Sequence, residues 1–233
     1  MASTLSRSEV IRRRRIFRIL NANLEVREED FASVLVAKES HDPFRVLIVT
    51  ILSQSCTDIS AMRAYVALDR KVGVDPAKLR RANLRIIQRS IRVAGLYRQK
   101  GKAIRKLSEV LCDNYSGDLG KFLNLPVEQA RELLQRLPKV GPKTADVLLS
   151  IWGKPTISVD THVERVSKRL GLTGLKSRYE EIQSDLMQAF NEKDYGRVPL
   201  LFMAHGRTYC KARQPLCPKC PVSKLCSYEM KSQ

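Results

Sequence analysis

Residues Phe44 to Gln54, "FRVLIVTILSQ", are apolar almost all the way round a helix. A segment of this kind is too short to cross a bilayer and has no solvent-tolerant face. The other elements must therefore be arranged around it. The chain supplies elements of the right type. Leu84, Ile87, Ile91 and Val93 recur at helical spacing before Gly95, and Ile104, Leu107, Val110 and Leu111 do so again in "QKGKAIRKLSEVLCDNY". "PVEQARELLQRL" opens on a proline and is acidic early, as a helix start should be. Only "KPTISVD", 154–160, reads as extended. The expected fold class is all-α, with roughly ten helices joined by short loops around a buried central one.

The 233 residues suit one or two modest domains, and 42 Lys+Arg against 24 Asp+Glu leave a net charge of +18. A surplus of that size favours a polyanion, with nucleic acid ahead of an anionic membrane surface because no amphipathic anchor stands apart from the core helices. The N-terminal segment has a basic cluster without an apolar signal core, which argues against secretion. The Arg12–Arg15 run reads as a solvated basic face.

Within "LQRLPKVGPKTADVLLSIWG" a helix opens on Gly141 and Pro142, and its apolar face carries Ala145, Leu148, Leu149 and Trp152. Lys143 falls in its first turn, where backbone amides already carry partial positive charge. In that field an ammonium is disfavoured relative to the neutral, nucleophilic amine. The backbone of Lys139, Val140 and Gly141 meanwhile forms a ready phosphate site. Asp160 precedes a second amphipathic helix (Val163, Val166, Leu170), suited either to cap it or to face an amine. An amine beside a carboxylate can attack a sugar carbon and stabilise the cationic state formed as a base leaves.

Cys210, Cys217, Cys220 and Cys226 are separated by six, two and five residues. Disulfides suit an intracellular-looking chain poorly, and zinc ribbons usually bring two Cys-x-x-Cys knuckles where this chain has one. Four thiolates in one wrap suit a cubane, with zinc as the competing reading. Cys112 reads as core and Cys56 as packing. Leu96 and Tyr97 lie at a helix junction, with Arg98 and Lys100 placed for phosphates; His162 reads as a locally bonded first-turn residue.

"LPKVGPKTA" followed by "VDTHVERV" resembles the helix-hairpin-helix and Asp loop of the endonuclease III family of DNA glycosylases, and the resemblance runs from "FRVLIVTILSQSCTD" to the terminal cysteines. It implies a six-helix barrel domain over 36–155 and an iron–sulfur domain from 1–35 and 156–233, with Lys143 and Asp160 in the groove between them. In that family Lys143 would form the Schiff base, Asp160 would be the essential carboxylate, and the four cysteines would bind a structural [4Fe–4S] cluster. Lys211 and Arg213 would be the cluster loop's cations. Leu96 would wedge into the duplex, Gln54 and Ser55 would occupy the space of the flipped nucleotide, and His205 would pack between the cluster loop and the barrel. The implied activity is that of a bifunctional glycosylase and AP lyase on oxidised pyrimidines. A monomer would act on double-stranded DNA carrying a damaged base or abasic site, in the cytoplasm and away from membranes. Mismatched thymine or uracil, oxidised purines, and a non-catalytic DNA-binding module are the alternatives. The chain departs from the family pattern at Lys139, where the hairpin's first glycine normally sits.

Overall fold

A computed structural model describes residues 6–228. Its described residues form thirteen α-helices and no strand: α1 (Arg7–Asn23), α2 (Ala32–Ser40), α3 (Pro43–Ser53), α4 (Asp58–Lys71), α5 (Pro76–Arg81), α6 (Leu84–Ser90), α7 (Tyr97–Tyr115), α8 (Gly120–Leu123), α9 (Val127–Gln135), α10 (Pro142–Ile151), α11 (Thr161–Arg169), α12 (Tyr179–Ala189) and α13 (Arg197–Thr208). Packing divides them into two units. One is Arg27–Lys154; the other comprises the described residues up to Val26 and from Pro155 onward.

The Arg27–Lys154 unit is built on α3. Asp42 caps that helix by accepting from the amides of Phe44 and Arg45, Pro43 occupies its first position, and every residue from Val46 to Leu52 is buried. Helices α2, α4, α7 and α10 surround it. Each large aliphatic removed from water there contributes about 1.5–3 kcal/mol. Residues 27–35, expected in the other unit, pack here: the Ala32 amide donates to Asp58 and Glu28 pairs with Lys38 of α2. A second difference lies beyond α6, which ends at Ser90 and is followed by a tighter 3-10 turn, Arg92–Ala94. That turn rotates Val93 off the apolar face, leaving it 49% exposed.

In the second unit, Ile16 and Leu20 of α1 meet Val163 and Val166 of α11, Leu186 of α12 and Phe202 of α13 in a separate core. Residues 156–160 form neither helix nor strand; Gln183 of α12 holds them by donating to Ile157 O and Thr156 Oγ1. The arginine run departs from its expected role. Arg12 pairs with Glu9 and donates to the carbonyls of Leu170, Gly171 and Leu225, while Arg13 is buried against Glu9. Arg14 and Arg15 alone of the four face water. Terminal helix carbonyls left without amide partners draw the guanidinium of Arg12 inward.

Candidate active site

In the Arg27–Lys154 unit, α9 and α10 flank a short hairpin. Its turn is closed by the Val140 amide donating to Leu137 O, and Lys139 takes the left-handed conformation at φ 65°. A lysine thus occupies the backbone region that favours glycine. Val140 is buried and its amide is committed inside the turn, so the phosphate contact expected of it is not available. Gly141 caps α10 with no side chain closing on its amides, Pro142 follows, and Lys143 stands exposed one residue further on. No ion pair holds Lys143 among the described residues.

Gln54 does not stand open to a ligand. Its Nε2 donates to Lys139 O at 3.1 Å and to Thr144 Oγ1 at 3.3 Å, bracing the hairpin from the end of α3. Ser55 is exposed and left-handed at φ 57°. Leu96 is left-handed at φ 47° and half-exposed, and Arg98 is exposed with its guanidinium 5.8 Å from the Tyr97 ring centre. Lys100 overturns its expected role. It is 1% exposed, and its Nζ donates to Leu52 O and Ala94 O, both at 2.8 Å. No phosphate can reach it, and burial pushes its ammonium below the ordinary lysine range. Cys56 is half-buried beside it, donating to the same Leu52 carbonyl, with its thiol pushed up by burial.

One group in this unit escaped sequence reasoning. Asp146, a turn after Lys143, is fully buried and accepts from Arg131 Nε at 2.8 Å, fastening α10 to α9. Its i, i+3 spacing from Lys143 gave no signal of burial.

In the other unit Asp160 caps α11. Its Oδ1 accepts from the amides of His162 (2.9 Å) and Val163 (2.8 Å), which leaves Oδ2 without a partner among the described residues. His162 is locally bonded, as expected, through Arg165. Arg165 also donates to Gly206 O and Cys210 O, and Arg169 donates to Lys211 O and Ala212 O. The cysteine loop is thus gripped by arginines through its own carbonyls, while Lys211 and Arg213 remain exposed.

Cys210, Cys217, Cys220 and Cys226 are all free thiols and all half-buried. Burial pushes the Cys220 and Cys226 thiols up, and the charges of the neighbouring cysteines push the same way. His205 lies underneath, 1% exposed, with Nε2 3.8 Å from Cys220 Sγ; burial holds its pKa down at about 4. Among the described residues no three His, Cys, Asp or Glu side chains converge closely enough to hold a single metal ion. No helix among them is long and apolar enough to cross a membrane.

Residues 48–192 match the model of the HhH-GPD superfamily of base excision DNA repair proteins. The chain is 33% identical to endonuclease III of Sulfolobus acidocaldarius over 90% of its own length and 92% of that protein. It is 38% identical to endonuclease III of Bacillus subtilis, covering 79% of this chain and 81% of the relative. A solved structure of a trapped endonuclease III–DNA covalent intermediate superposes with a TM-score of 0.74 at 32% identity, covering 96% of this chain and 97% of that one.

Proposed function

The chain belongs to the endonuclease III group of the HhH-GPD superfamily of base excision DNA repair proteins, and from that premise we propose which of its residues carry the chemistry. It is a DNA glycosylase with AP lyase activity, acting on DNA. Lys143 is the nucleophile. Its amine attacks C1′ of the extruded nucleotide, and the C1′–N bond breaks with its electron pair leaving on the base. The Asp160 carboxylate stabilises the positive charge developing on the sugar. Opening of the C1′–O4′ bond, with the proton shed by the lysine nitrogen passing to O4′, gives an iminium; transfer of a C2′ proton to water then expels the 3′ phosphate oxygen, and hydrolysis frees Lys143. The strand is cut 3′ to the lesion.

The observation that carries this reading is an exposed lysine without an ion-pair partner among the described residues, in the first turn of a helix opened by Gly141 and Pro142. The covalent endonuclease III–DNA intermediate supports it as a similar protein's chemistry. Oxidised pyrimidines, thymine glycol among them, are the substrates, and the cytoplasm of a prokaryote is the place of action. Lys139, Gly141, Arg98, Lys211 and Arg213 meet the phosphate backbone, while Ser55 and Leu96 fill the gap in the duplex.

Cys210, Cys217, Cys220 and Cys226 hold a [4Fe–4S] cluster. The donor set fits: four unpaired thiols lie within electrostatic reach of one another, with Arg12 and Arg169 beside Cys226 and Cys210 to balance anionic charge. The cluster's contribution is structural, fixing the basic loop. A brown protein containing iron and sulfide is expected; a colourless one containing zinc overturns this assignment.

Borohydride trapping on a thymine glycol duplex tests the nucleophile. Wild type should form a covalent adduct, and Lys143→Ala should form none while keeping its DNA affinity. Base release by wild type without any adduct refutes the lyase chemistry. A variant losing adduct and affinity together marks Lys143 as structural.

A further inference from the structure

The ammonium of Lys100 is buried, and a buried charge is costly unless something holds it. Two carbonyls do so: Leu52 O in the last turn of α3 and Ala94 O at the end of the 3-10 turn before Gly95. The first carbonyl lies in the last turn of its helix and the second ends its 3-10 turn, and each stands shortly before an exposed left-handed residue. Ser55 follows the first at three residues and Leu96 follows the second at two. The Lys100 amide closes the same junction by donating to Leu96 O at 2.9 Å. Further along the first segment, Gln54 reaches Lys139 O and Thr144 Oγ1. Two side chains therefore link three exposed left-handed turns at Leu96, Ser55 and Lys139.

We propose that Lys100 is a positioning residue for nucleotide extrusion, tying the loop of Ser55 to the loop of Leu96 so that both enter the duplex as one rigid edge. The inference rests on the reading that these two residues fill the gap in the DNA. It assigns a role to the one lysine of that segment that cannot meet a phosphate. An ammonium suits the task because it donates to two carbonyls at once from one atom. Cations are also favoured at element C-termini, where carbonyls lack amide partners. Methionine has the length of the lysine stem and no donor, so Lys100→Met removes the tie at little cost in volume.

Four measurements decide it: binding of undamaged duplex against salt, 2-aminopurine fluorescence beside a thymine glycol, single-turnover base release, and strand scission at a preformed abasic site. Lys100→Met should lower base release by about 10- to 100-fold, the scale of a small misplacement, and reduce the fluorescence rise. Scission at the abasic site, which needs no base extruded, should change much less. The salt slope should stay at the wild-type value. A slope reduced by about 0.9 marks a phosphate contact instead and overturns the proposal, as does wild-type fluorescence. Leu96→Ala separates the two levels. If it leaves extrusion unchanged, the gap-filling reading fails; if it impairs extrusion while Lys100→Met does not, the tie alone fails. Should Lys100→Met not fold, Lys100→Leu removes the donor with a smaller side chain, and full wild-type extrusion by it overturns the tie.

Discussion

Replacing Lys139 by glycine should make the protein more stable and its DNA binding weaker at once. At φ 65° an L-residue carries a steric cost of about 1–2 kcal/mol, which glycine does not. Glycine gives back about 0.5–1 kcal/mol through the greater freedom of the unfolded chain. The Lys139 side chain is exposed, and the bond from Gln54 is to its backbone carbonyl, so the substitution removes neither packing nor that contact. The net gain is about 0.5–1 kcal/mol, or roughly 2 °C in a chain of this size. The chain's single tryptophan, Trp152, ends α10 in the same unit and packs on its core. Urea unfolding followed at Trp152 therefore reads the unit that carries the strain. Lys139→Ala is the control, since it keeps the left-handed cost and loses the charge. Both variants should lower the slope of log affinity against log salt by about 0.9, whereas only the glycine variant should shift the urea midpoint upward. A glycine variant less stable than wild type, or an alanine variant equally stabilised, refutes the argument from backbone strain.

Asp160 has two roles that substitution separates. Asparagine caps a helix about as well as aspartate, so Asp160→Asn should leave the unfolding free energy within about 0.5 kcal/mol while base release falls steeply; Asp160→Ala should cost about 1 kcal/mol in addition. Arg131→Met should destabilise by about 3 kcal/mol, because it leaves the fully buried Asp146 carboxylate without its guanidinium, and the Trp152 signal should report the loss. Glu9 has a pKa held down at about 2 by its hydrogen bond to Arg12, against the opposing effect of burial, with Arg13 adding to the pull. Its stabilisation, about 1–2 kcal/mol after screening, is fully present above pH 4.5 and is lost as pH falls toward 2. Accordingly, the stability gap between wild type and Glu9→Gln should close over that interval, as read by circular dichroism in urea.

The helices were legible because burial imposes a period, and α3, α7 and α10 lie where that period put them. Asp160 was legible as a cap because capping is a local bond between a side chain and the next turn. What could not be read were polar side chains whose partners are distant in sequence. Lys100 reads as a surface cation by composition, and only the fold brings Leu52, 48 residues away, to its ammonium. Arg12 satisfies carbonyls more than 150 residues downstream. Asp146 is neutralised from the preceding helix, fifteen residues back. Gln54 reads as a DNA contact by its place in a motif, while its side chain is occupied by the hairpin.

The left-handed residues carry a further distinction that periodicity never exposes. His41 ends α2 and Ser116 ends α7; there the His41 amide returns to Ala37 O and the Gly117 amide to Leu111 O, so the left-handed turn satisfies helix carbonyls. Leu96 and Lys139 end no α-helix. Leu96 precedes α7, and Lys139 sits within the turn before α10. Leu96 is also a bulky residue at φ 47° with half its surface in water, so it combines a steric cost with an exposed apolar one. Neither cost benefits the fold, and a backbone keeps such a conformation where its surroundings over-determine it. Those surroundings are the bonds from Lys100 and Gln54. Strain of this kind has a use where a side chain must stand rigidly in solvent until a duplex arrives. On that reasoning Leu96→Gly should stabilise the unit as Lys139→Gly does, yet lose extrusion as Leu96→Ala does. Stabilisation with extrusion intact would separate the strain from the function.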